Sequence, residues 1–266
     1  MNYTIHKTIL KAENLGLTIE DKVILRDINF EIKDIHRPGV QQGQVVSLVG
    51  RSGVGKTQLF KTLAGLQKPT TGSIYIGEDL HPVKAGEVGI VPQNYILFKH
   101  RTIFENLALG LKNSGRKLSE EEQRCIIHEF CQLFDISDQL KKYPIQLSGG
   151  QRQRVSIIQQ LLAGNQFILL DEPFSGLDLV VVEKVIQLLI QVSLLNELNT
   201  LILVSHDILN SIAISDSVYI LSSEIGKPGA TFTRSFDLCK MGLAWDPEIR
   251  RKREFIDLIE DVKHLI

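Results

Sequence analysis

The chain has 266 residues, with 30 basic and 31 acidic side chains and a formal net charge of -1, which argues against the basic surface of a DNA- or RNA-processing ATPase. It contains no apolar run of about eighteen residues and no secretory leader pattern, so we expect a soluble, cytoplasmic chain. The length suits one α/β domain with an inserted subdomain, and three cysteines without metal-ligand spacing predict free thiols.

The first part of the chain alternates apolar and polar residues. Residues 9–19 and 23–32 show this pattern, which predicts an antiparallel strand pair that forms an edge sheet. Residues 33–42 are polar and rich in turn-forming residues. We therefore expect an extended surface loop there, with an exposed His36.

A phosphate-binding pattern follows the apolar run 45–49 and precedes a helix-periodic stretch at 59–66. Glycines let backbone N–H groups surround an anion, and the helix N-terminus adds partial positive charge. Lys56 would reach the outer phosphates, and the Thr57 hydroxyl would bind magnesium. The pattern predicts a magnesium nucleoside triphosphate as ligand, with a chance match on a glycine turn as the alternative. Its residues are Gly50, Arg51, Ser52, Gly53, Val54, Gly55, Lys56 and Thr57.

The next elements connect this loop to a helical region. Gly65 ends the helical pattern, and residues 73–76 and 89–91 predict two short strands. Helical periodicity then continues, with a capping box at 119–122. We therefore predict a helical subdomain at about residues 94–160.

Two glycines that follow a serine begin another predicted helix. The segment Leu147-Ser148-Gly149-Gly150-Gln151 stands before a long apolar-periodic stretch, which predicts a second helix N-terminus that faces an anion. By itself the segment does not distinguish this interpretation from an ordinary turn.

Two carboxylates follow a predicted buried strand. Residues 167–170 are continuously apolar, as in a parallel strand covered on both faces, and the run ends at Asp171 and Glu172. Carboxylates in this position are costly unless they are used. Asp171 suits a magnesium shell, and Glu172 suits a base that polarises the attacking water. Asp178 then precedes an apolar helix.

Four apolar runs are each followed within two residues by a group suited to phosphate or metal. These groups are Gly50, Gln93, Asp171 and His206. In doubly wound sheets ligands lie at the carboxyl ends of the strands, so we expect the four to meet at one site. His206 alone would be interpreted as a structural histidine, but beside the other three it predicts a γ-phosphate contact.

The ordered set of motifs resembles the nucleotide-binding subunit of ABC transporters over about residues 9–222. The pairing of the phosphate loop with Leu-Ser-Gly-Gly-Gln is the most specific part. The resemblance implies an α/β, P-loop NTPase fold of ABC type, with a mainly parallel sheet core, an antiparallel β edge subdomain and an inserted α-helical subdomain. In that family two subunits pack head to tail. Each ATP lies between the phosphate loop of one subunit and the signature segment of the other, which here is Leu147 to Gln151 with Ser148 as the signature serine.

The resemblance also implies a role for each matching residue. Glu172 would be the general base, with His206 and Gln93 as further catalytic residues, and Thr57, Gln93 and Asp171 would hold Mg²⁺. ATP would contact the phosphate loop of one subunit and the signature segment of the other, and Asp178 would line the dimer seam. The nucleotide-binding set is Gly50, Arg51, Ser52, Gly53, Val54, Gly55, Lys56, Thr57, Gln58, Ser148, Gly149, Gly150, Gln151 and Asp178.

Three features depart from the family pattern. Ile19 stands where an aromatic residue usually stacks on adenine, so stacking worth about 1–3 kcal/mol would be missing. Gln58 replaces a usual hydroxyl and would remove one α-phosphate contact. Residues 33–42 form a longer connection than the family's short turn.

We predict an ABC ATPase domain at 1–225 and a C-terminal extension at 226–266. In the extension, Asp246-Pro247 predicts a helix start, and residues 250–253 are interpreted as a solvated basic helix face rather than a lipid contact. The expected apolar stripe of that helix is Phe255, Leu258, Ile259, Val262 and Ile266. The nitrate, sulfonate and taurine branch is also resembled, at residues 216–222, 227–229, 236–238 and 246–248.

Our leading hypothesis is an ATP-binding and ATP-hydrolysing subunit that powers a separate permease, in solute import, by ATP-driven dimer closure. Its expected partners are a second copy or a paralogous ATPase subunit, permease subunits docked near 94–99, and a solute-binding protein, with no nucleic acid. With these partners, the chain is expected at the cytoplasmic face of the membrane, bound to the permease. Alternatives are an exporter or lipid-transport subunit and a soluble ABC ATPase scaffold. A small-molecule kinase would leave Ser148 and Glu172 unexplained.

Overall fold

The computed structural model describes residues 3–37 and 42–266. Within them ten strands form one sheet, in the spatial order β5-β4-β1-β2-β10-β9-β3-β8-β7-β6. The strands are β1 Thr4–Ile19, β2 Lys22–His36, β3 Gln44–Val49, β4 Thr71–Ile76, β5 His81–Pro82, β6 Gly89–Val91, β7 Phe167–Asp171, β8 Thr200–Ser205, β9 Ser217–Ser223 and β10 Ala230–Asp237.

Seven α-helices are present in the same described part of the chain. They are α1 Lys56–Leu63, α2 Ile103–Asn113, α3 Glu120–Leu133, α4 Gly149–Leu162, α5 Leu179–Leu194, α6 Ile208–Ala213 and α7 Arg253–Leu265. The predicted capping box at 119–122 is confirmed at the start of α3. Helices α2, α3 and α4 pack against one another and account for most of the segment predicted as a helical subdomain.

One side of the sheet is parallel and the other is mainly antiparallel. Strands β9, β3, β8, β7 and β6 are parallel neighbours, and every residue of β3 and β8 is buried. This is the burial expected of parallel strands covered on both faces. The predicted α/β fold with a mainly parallel core is therefore confirmed. The carboxyl ends of β3, β6, β7 and β8 lie along one edge.

The predicted N-terminal strand pair is confirmed, but it is longer than expected. Strands β1 and β2 are antiparallel, and their pairing extends to Thr4 opposite His36. The prediction of a surface loop at 33–42 is wrong for its first part, because 33–36 continue β2. Arg37 and Gln42 are buried, and 38–41 lie outside the described residues. His36 is exposed, as expected.

Helix α1 packs against the sheet, where it contacts β7 and β8. Its buried Leu59, Phe60 and Leu63 share one apolar cluster with residues of β1, β2, β3 and β8. The helix ends before Gly65, which has a φ of 70°, as in a common helix termination. The predicted helix-periodic stretch extends to Leu66, but this residue lies beyond the end of α1 and is exposed.

The predicted extension at 226–266 continues the fold. Strand β10 lies inside the sheet between β2 and β9. The predicted helix start at Asp246-Pro247 is wrong, because α7 begins at Arg253 after a short 3₁₀ turn. The later start of α7 has a local cause. The carboxylate of Asp246 pairs with Lys252 at 2.5 Å and accepts a hydrogen bond from the N–H of Glu248, within the turn before the helix. The apolar stripe of α7 packs on α6 and β9.

The basic run at 250–253 is paired within the chain. Arg250 donates to Asn210 Oδ1 at 2.8 Å and Arg251 contacts Glu248 at 2.6 Å. Lys252 contacts Asp246. These contacts favour the interpretation of a solvated surface over a lipid contact.

A buried ion pair ties the end of β2 to the tail. The guanidinium of Arg37 contacts the carboxylate of Asp216, and both side chains are almost fully buried. Asp216 also accepts hydrogen bonds from the N–H of Val45 at 2.8 Å and from Trp245 Nε1 at 2.8 Å. Asp216 therefore joins Arg37, the start of β3 and Trp245.

We expect Asp216→Asn to destabilise the protein by about 3–5 kcal/mol, because it leaves the buried Arg37 charge without its counterion. The measurement is the free energy of unfolding in urea. The control is Glu78→Gln, whose carboxylate pairs with Lys7 in solvent and whose loss is expected to leave the midpoint unchanged. Equal midpoints for the two variants would contradict this structural role of Arg37 and Asp216.

Candidate nucleotide site

The phosphate loop joins β3 to α1 and forms one wall of a cleft of about 450 Å³. Gly55 precedes α1 with a φ of 112°, a conformation that side chains rarely adopt. A Cβ on Gly55 would also lie 3.2 Å from a methyl carbon of Ile24. The first N–H groups of α1 have no intrahelical partner, so this end of the helix offers donors to an anion.

Of the four groups predicted to meet at strand ends, Gln93 and His206 line this cleft, whereas Gly50 and Asp171 do not. Its lining combines phosphate-loop residues with side chains that follow β6, β7 and β8. The lining residues are Ile24, Ser52, Gly53, Gly55, Lys56, Thr57, Gln58, Gln93, Glu172, Ser175 and His206. Parallel strands bring their carboxyl ends to one edge, which explains this meeting of distant residues.

Lys56 is held by the loop that it follows. Its Nζ donates to the main-chain oxygens of Gly50 at 2.9 Å and Arg51 at 3.0 Å, and it lies 3.3 Å from Glu172 Oε1. The side chain is 6% exposed. A buried ammonium in this position provides a fixed positive charge at the cleft.

Glu172 is held by contacts on both its backbone and its carboxylate. Its φ of 50° lies in the left-handed region, which costs energy for a residue with a side chain. The N–H of Glu172 donates to the Val204 carbonyl at 2.8 Å. Glu172 Oε2 accepts from Ser205 Oγ at 3.2 Å, from the His206 N–H at 3.1 Å and from His206 Nδ1 at 2.7 Å. The carboxylate therefore has one defined position beside Lys56.

Asp171 lies one residue earlier, at the end of β7. Its Oδ1 is buried and has no hydrogen-bond partner within the described residues. Burial raises the pKa of this carboxyl, and the adjacent Glu172 raises it further, while Lys56 and Lys61 oppose the shift. An unpartnered buried carboxylate oxygen fits a magnesium ligand. No cluster of three or more His, Cys, Asp or Glu side chains suited to a metal occurs in the described part, so the hydroxyl of Thr57 and the amide of Gln93 would have to contribute.

Gln93 lies at the cleft, as expected, but Ile19 does not take the position expected beside the adenine base. Gln93 is exposed at the cleft, and its Nε2 donates to Ser175 Oγ at 3.2 Å. Ile19 is partly buried in the core cluster and does not line the cleft, whereas Ile24 does. A base entering this cleft would meet an aliphatic side chain from the start of β2.

The signature segment lies outside this cleft. Ser148 is the N-cap of α4, where its side chain accepts from the N–H of Gln151 at 3.3 Å. Asp178 caps α5 in the same way. Gly149, Gly150 and these two capping residues are absent from the cleft lining. Within one chain the structure therefore does not bring the signature segment to the phosphate loop.

Sequence reasoning missed three residues of the site. Ser175 lines the cleft and accepts a hydrogen bond from Gln93. Ser205 follows the last apolar residue of β8 and donates to Glu172, and Ile24 faces Gly55. A polar residue at the end of a buried strand was a usable signal for Ser205. No sequence signal separated Ile24 from the other apolar residues of β2.

Comparison with known proteins identifies this arrangement. A family described as ABC transporter matches residues 35–175. The chain belongs to the ABC transporter family. It carries the ATP-binding domain of that family, as the phosphate loop and signature motif predicted, and the narrower resemblance to the nitrate, sulfonate and taurine branch stays a prediction.

Several members of the ABC transporter family are similar over most of the chain. A maltose/maltodextrin import ATP-binding protein, MalK of Mannheimia succiniciproducens, is 37% identical over 229 residues, which cover 82% of this chain and 58% of that protein. A sulfate/thiosulfate import ATP-binding protein, CysA of Pseudomonas aeruginosa, is 35% identical over 81% of this chain and 68% of that protein. The chain thus spans less than two thirds of the length of the maltose relative.

Solved structures of ABC cassettes share the fold. The structure of cbiO1 from Clostridium perfringens, part of an ABC transporter complex, has a TM-score of 0.73 and 26% identity, and covers 98% of this chain and 99% of that one. A dimeric ATP-binding cassette in a post-hydrolysis state with ADP and Pi has a TM-score of 0.69 and 28% identity, over 86% of this chain and 99% of that one. In the described ranges of the present chain, no helix has the length and apolar character needed to span a bilayer.

Proposed function

We propose that the chain is the ATP-hydrolysing subunit of an ABC importer and that it powers a separate permease from the cytoplasmic face of the membrane. The observation that carries the proposal is the cleft in which the buried Lys56 ammonium lies 3.3 Å from the Glu172 carboxylate. The import direction is supported by the names of the relatives, which are import ATP-binding proteins.

The cleft residues have complementary roles in this proposal. The N–H groups at the start of α1 and the Lys56 ammonium would bind the phosphates and offset their charge. Thr57, Gln93 and Asp171 would hold Mg²⁺, which when bound would neutralise charge on the phosphate oxygens. Glu172 would orient the attacking water and accept its proton. Ser205 and His206 donate hydrogen bonds to one carboxylate oxygen of Glu172. These bonds would hold the carboxylate in one orientation during the reaction.

The proposed nucleotide site is composite, because it uses residues of two subunits. Gly149 and Gly150 open α4, although glycine destabilises a helix by about 0.5–1 kcal/mol relative to alanine. A Cβ on either would meet no atom of residues 3–37 and 42–266 within 4 Å, apart from its chain neighbours and the backbone of α4 itself, so packing in this part of the chain does not require glycine. Close approach by a nucleotide bound to a second subunit does. We therefore propose a head-to-tail dimer of this chain or with a paralogous subunit.

The test of the proposed function is purification of the tagged chain from detergent-solubilised membranes, with the co-purifying chains identified by mass spectrometry. We expect a multi-span permease and a solute-binding protein, and ATP hydrolysis by the complex that stops when EDTA removes the metal. Lys56→Met serves as the inactive control. A permease without a solute-binding protein would favour export, and recovery with soluble partners alone would favour an assembly scaffold.

A further inference from the structure

Gln153 is a buried amide that links α4 to the loop carrying Glu172. Its side chain is 0% exposed. Its Nε2 donates to the main-chain oxygen of Pro173 at 3.1 Å, and Pro173 is the residue directly after Glu172. The hydrogen bond therefore joins two parts of the same chain that the proposed function assigns to different tasks.

Burial of the Gln153 side chain costs free energy, because part of its amide has no partner in the described part of the chain. Its Oε1 is buried and has no hydrogen-bond partner among residues 3–37 and 42–266. Burial of a polar atom without a partner is unfavourable, and an apolar side chain of similar volume would avoid it. Stability alone is therefore a poor reason for glutamine at this position.

Gln153 lies on the same helix as Ser148, so its hydrogen bond to Pro173 links Ser148 to the loop that carries Glu172. Gln153 lies five residues after the N-cap Ser148, or about 7.5 Å along the helix axis. In the proposed dimer Ser148 contacts the nucleotide bound by the partner, whereas Glu172 acts on the nucleotide bound by its own chain. A rigid helix bonded to the Glu172 loop thus connects the two nucleotide sites within one subunit.

We propose that Gln153 is a positioning residue that couples the signature helix of each subunit to Glu172 of the same subunit, and so makes the two ATP sites cooperative. This inference rests on the proposed function. Occupation of one site would shift α4, and the bond to Pro173 would transmit that shift to the base at the other site. Gln153 itself touches no reacting atom in this scheme.

The test compares Gln153→Met with a matched control, Gln159→Met, in the full chain. Gln159 is on the same helix, and its Nε2 donates to a main-chain oxygen at 2.9 Å, but the acceptor is Asn106 in α2. We expect Gln153→Met to lower kcat about tenfold and to reduce the Hill coefficient for ATP to about 1, with little change in KM. Gln159→Met should keep the wild-type kcat and Hill coefficient.

Thermal unfolding separates coupling from damage to the fold. We expect the Tm values of the two variants to agree within about 3 °C, because each change removes one hydrogen bond between buried or half-buried groups. Equal kcat and Hill coefficients in the two variants would overturn the coupling, as would a wild-type Hill coefficient of 1. In those cases the proposed function would stand if Glu172→Gln still removed hydrolysis. A chain whose hydrolysis survives Glu172→Gln would overturn the proposed function and the coupling together.

Discussion

Replacing Glu172 by Gln is expected to lower steady-state ATP hydrolysis at least about a hundredfold, because an amide cannot accept the proton of the attacking water. The amide has almost the same shape as the carboxylate, and its oxygen can still accept the hydrogen bonds that Ser205 and His206 donate to Oε2. Phosphate release measures the loss of turnover, and titration with ATP measures binding, which we expect to persist.

The control for this variant is Glu183→Gln. Glu183 is an exposed residue of α5, whose carboxylate lies 3.7 Å from Arg250 at the surface. Its replacement should leave hydrolysis unchanged. Turnover within tenfold of wild type in the Glu172→Gln variant would contradict the role of Glu172 as general base. Lys56 and His206 would then be the next side chains of the cleft to replace.

Replacing Ser148 by Arg is expected to lower hydrolysis by a similar factor, although Ser148 does not line the cleft of its own chain. The reason is the proposed dimer, in which the arginine would block the contact between the signature segment and the partner's nucleotide. Loss of a fixed donor to a reacting group lowers kcat by about a hundredfold to a thousandfold. The measurement is phosphate release by the purified variant at saturating ATP.

The matched control is Ser119→Arg. Ser119 caps α3 with the same capping box, in which its side chain accepts from the N–H of Glu122 at 3.3 Å. Both variants lose a helix cap worth about 1 kcal/mol, but only the change at Ser148 should stop hydrolysis.

Mixing the two inactive variants gives a sharper test of the composite site. A dimer of one Glu172→Gln subunit and one Ser148→Arg subunit has both defects at one nucleotide site and an intact second site. We therefore expect hydrolysis to return on mixing, to a fraction of the wild-type rate. A mixture that forms mixed dimers and stays inactive would contradict the assignment of Ser148 to the partner's nucleotide.

The sequence by itself determined the parallel core and most of the cleft. The apolar runs that became β3, β6, β7 and β8 predict buried strands from local pattern alone, and parallel strands bring their carboxyl ends to one edge. Once those runs are assigned, the meeting of Gln93 and His206 beside the phosphate loop follows without knowledge of any contact. The phosphate loop and the signature motif then led to the correct family.

Only the tertiary structure decided the contacts between residues far apart in sequence. Arg37 meets Asp216 across 179 positions and Gln153 meets Pro173 across 20 positions. The entry of β10 into the sheet and the continuation of β2 beyond Ile32 depend on strand partners that no local pattern names. Periodicity reports which face of an element is apolar, whereas the choice of partner depends on the packing of the whole chain. For that reason several residues of the cleft could be predicted, but the hydrogen bonds that hold Glu172 in place could not.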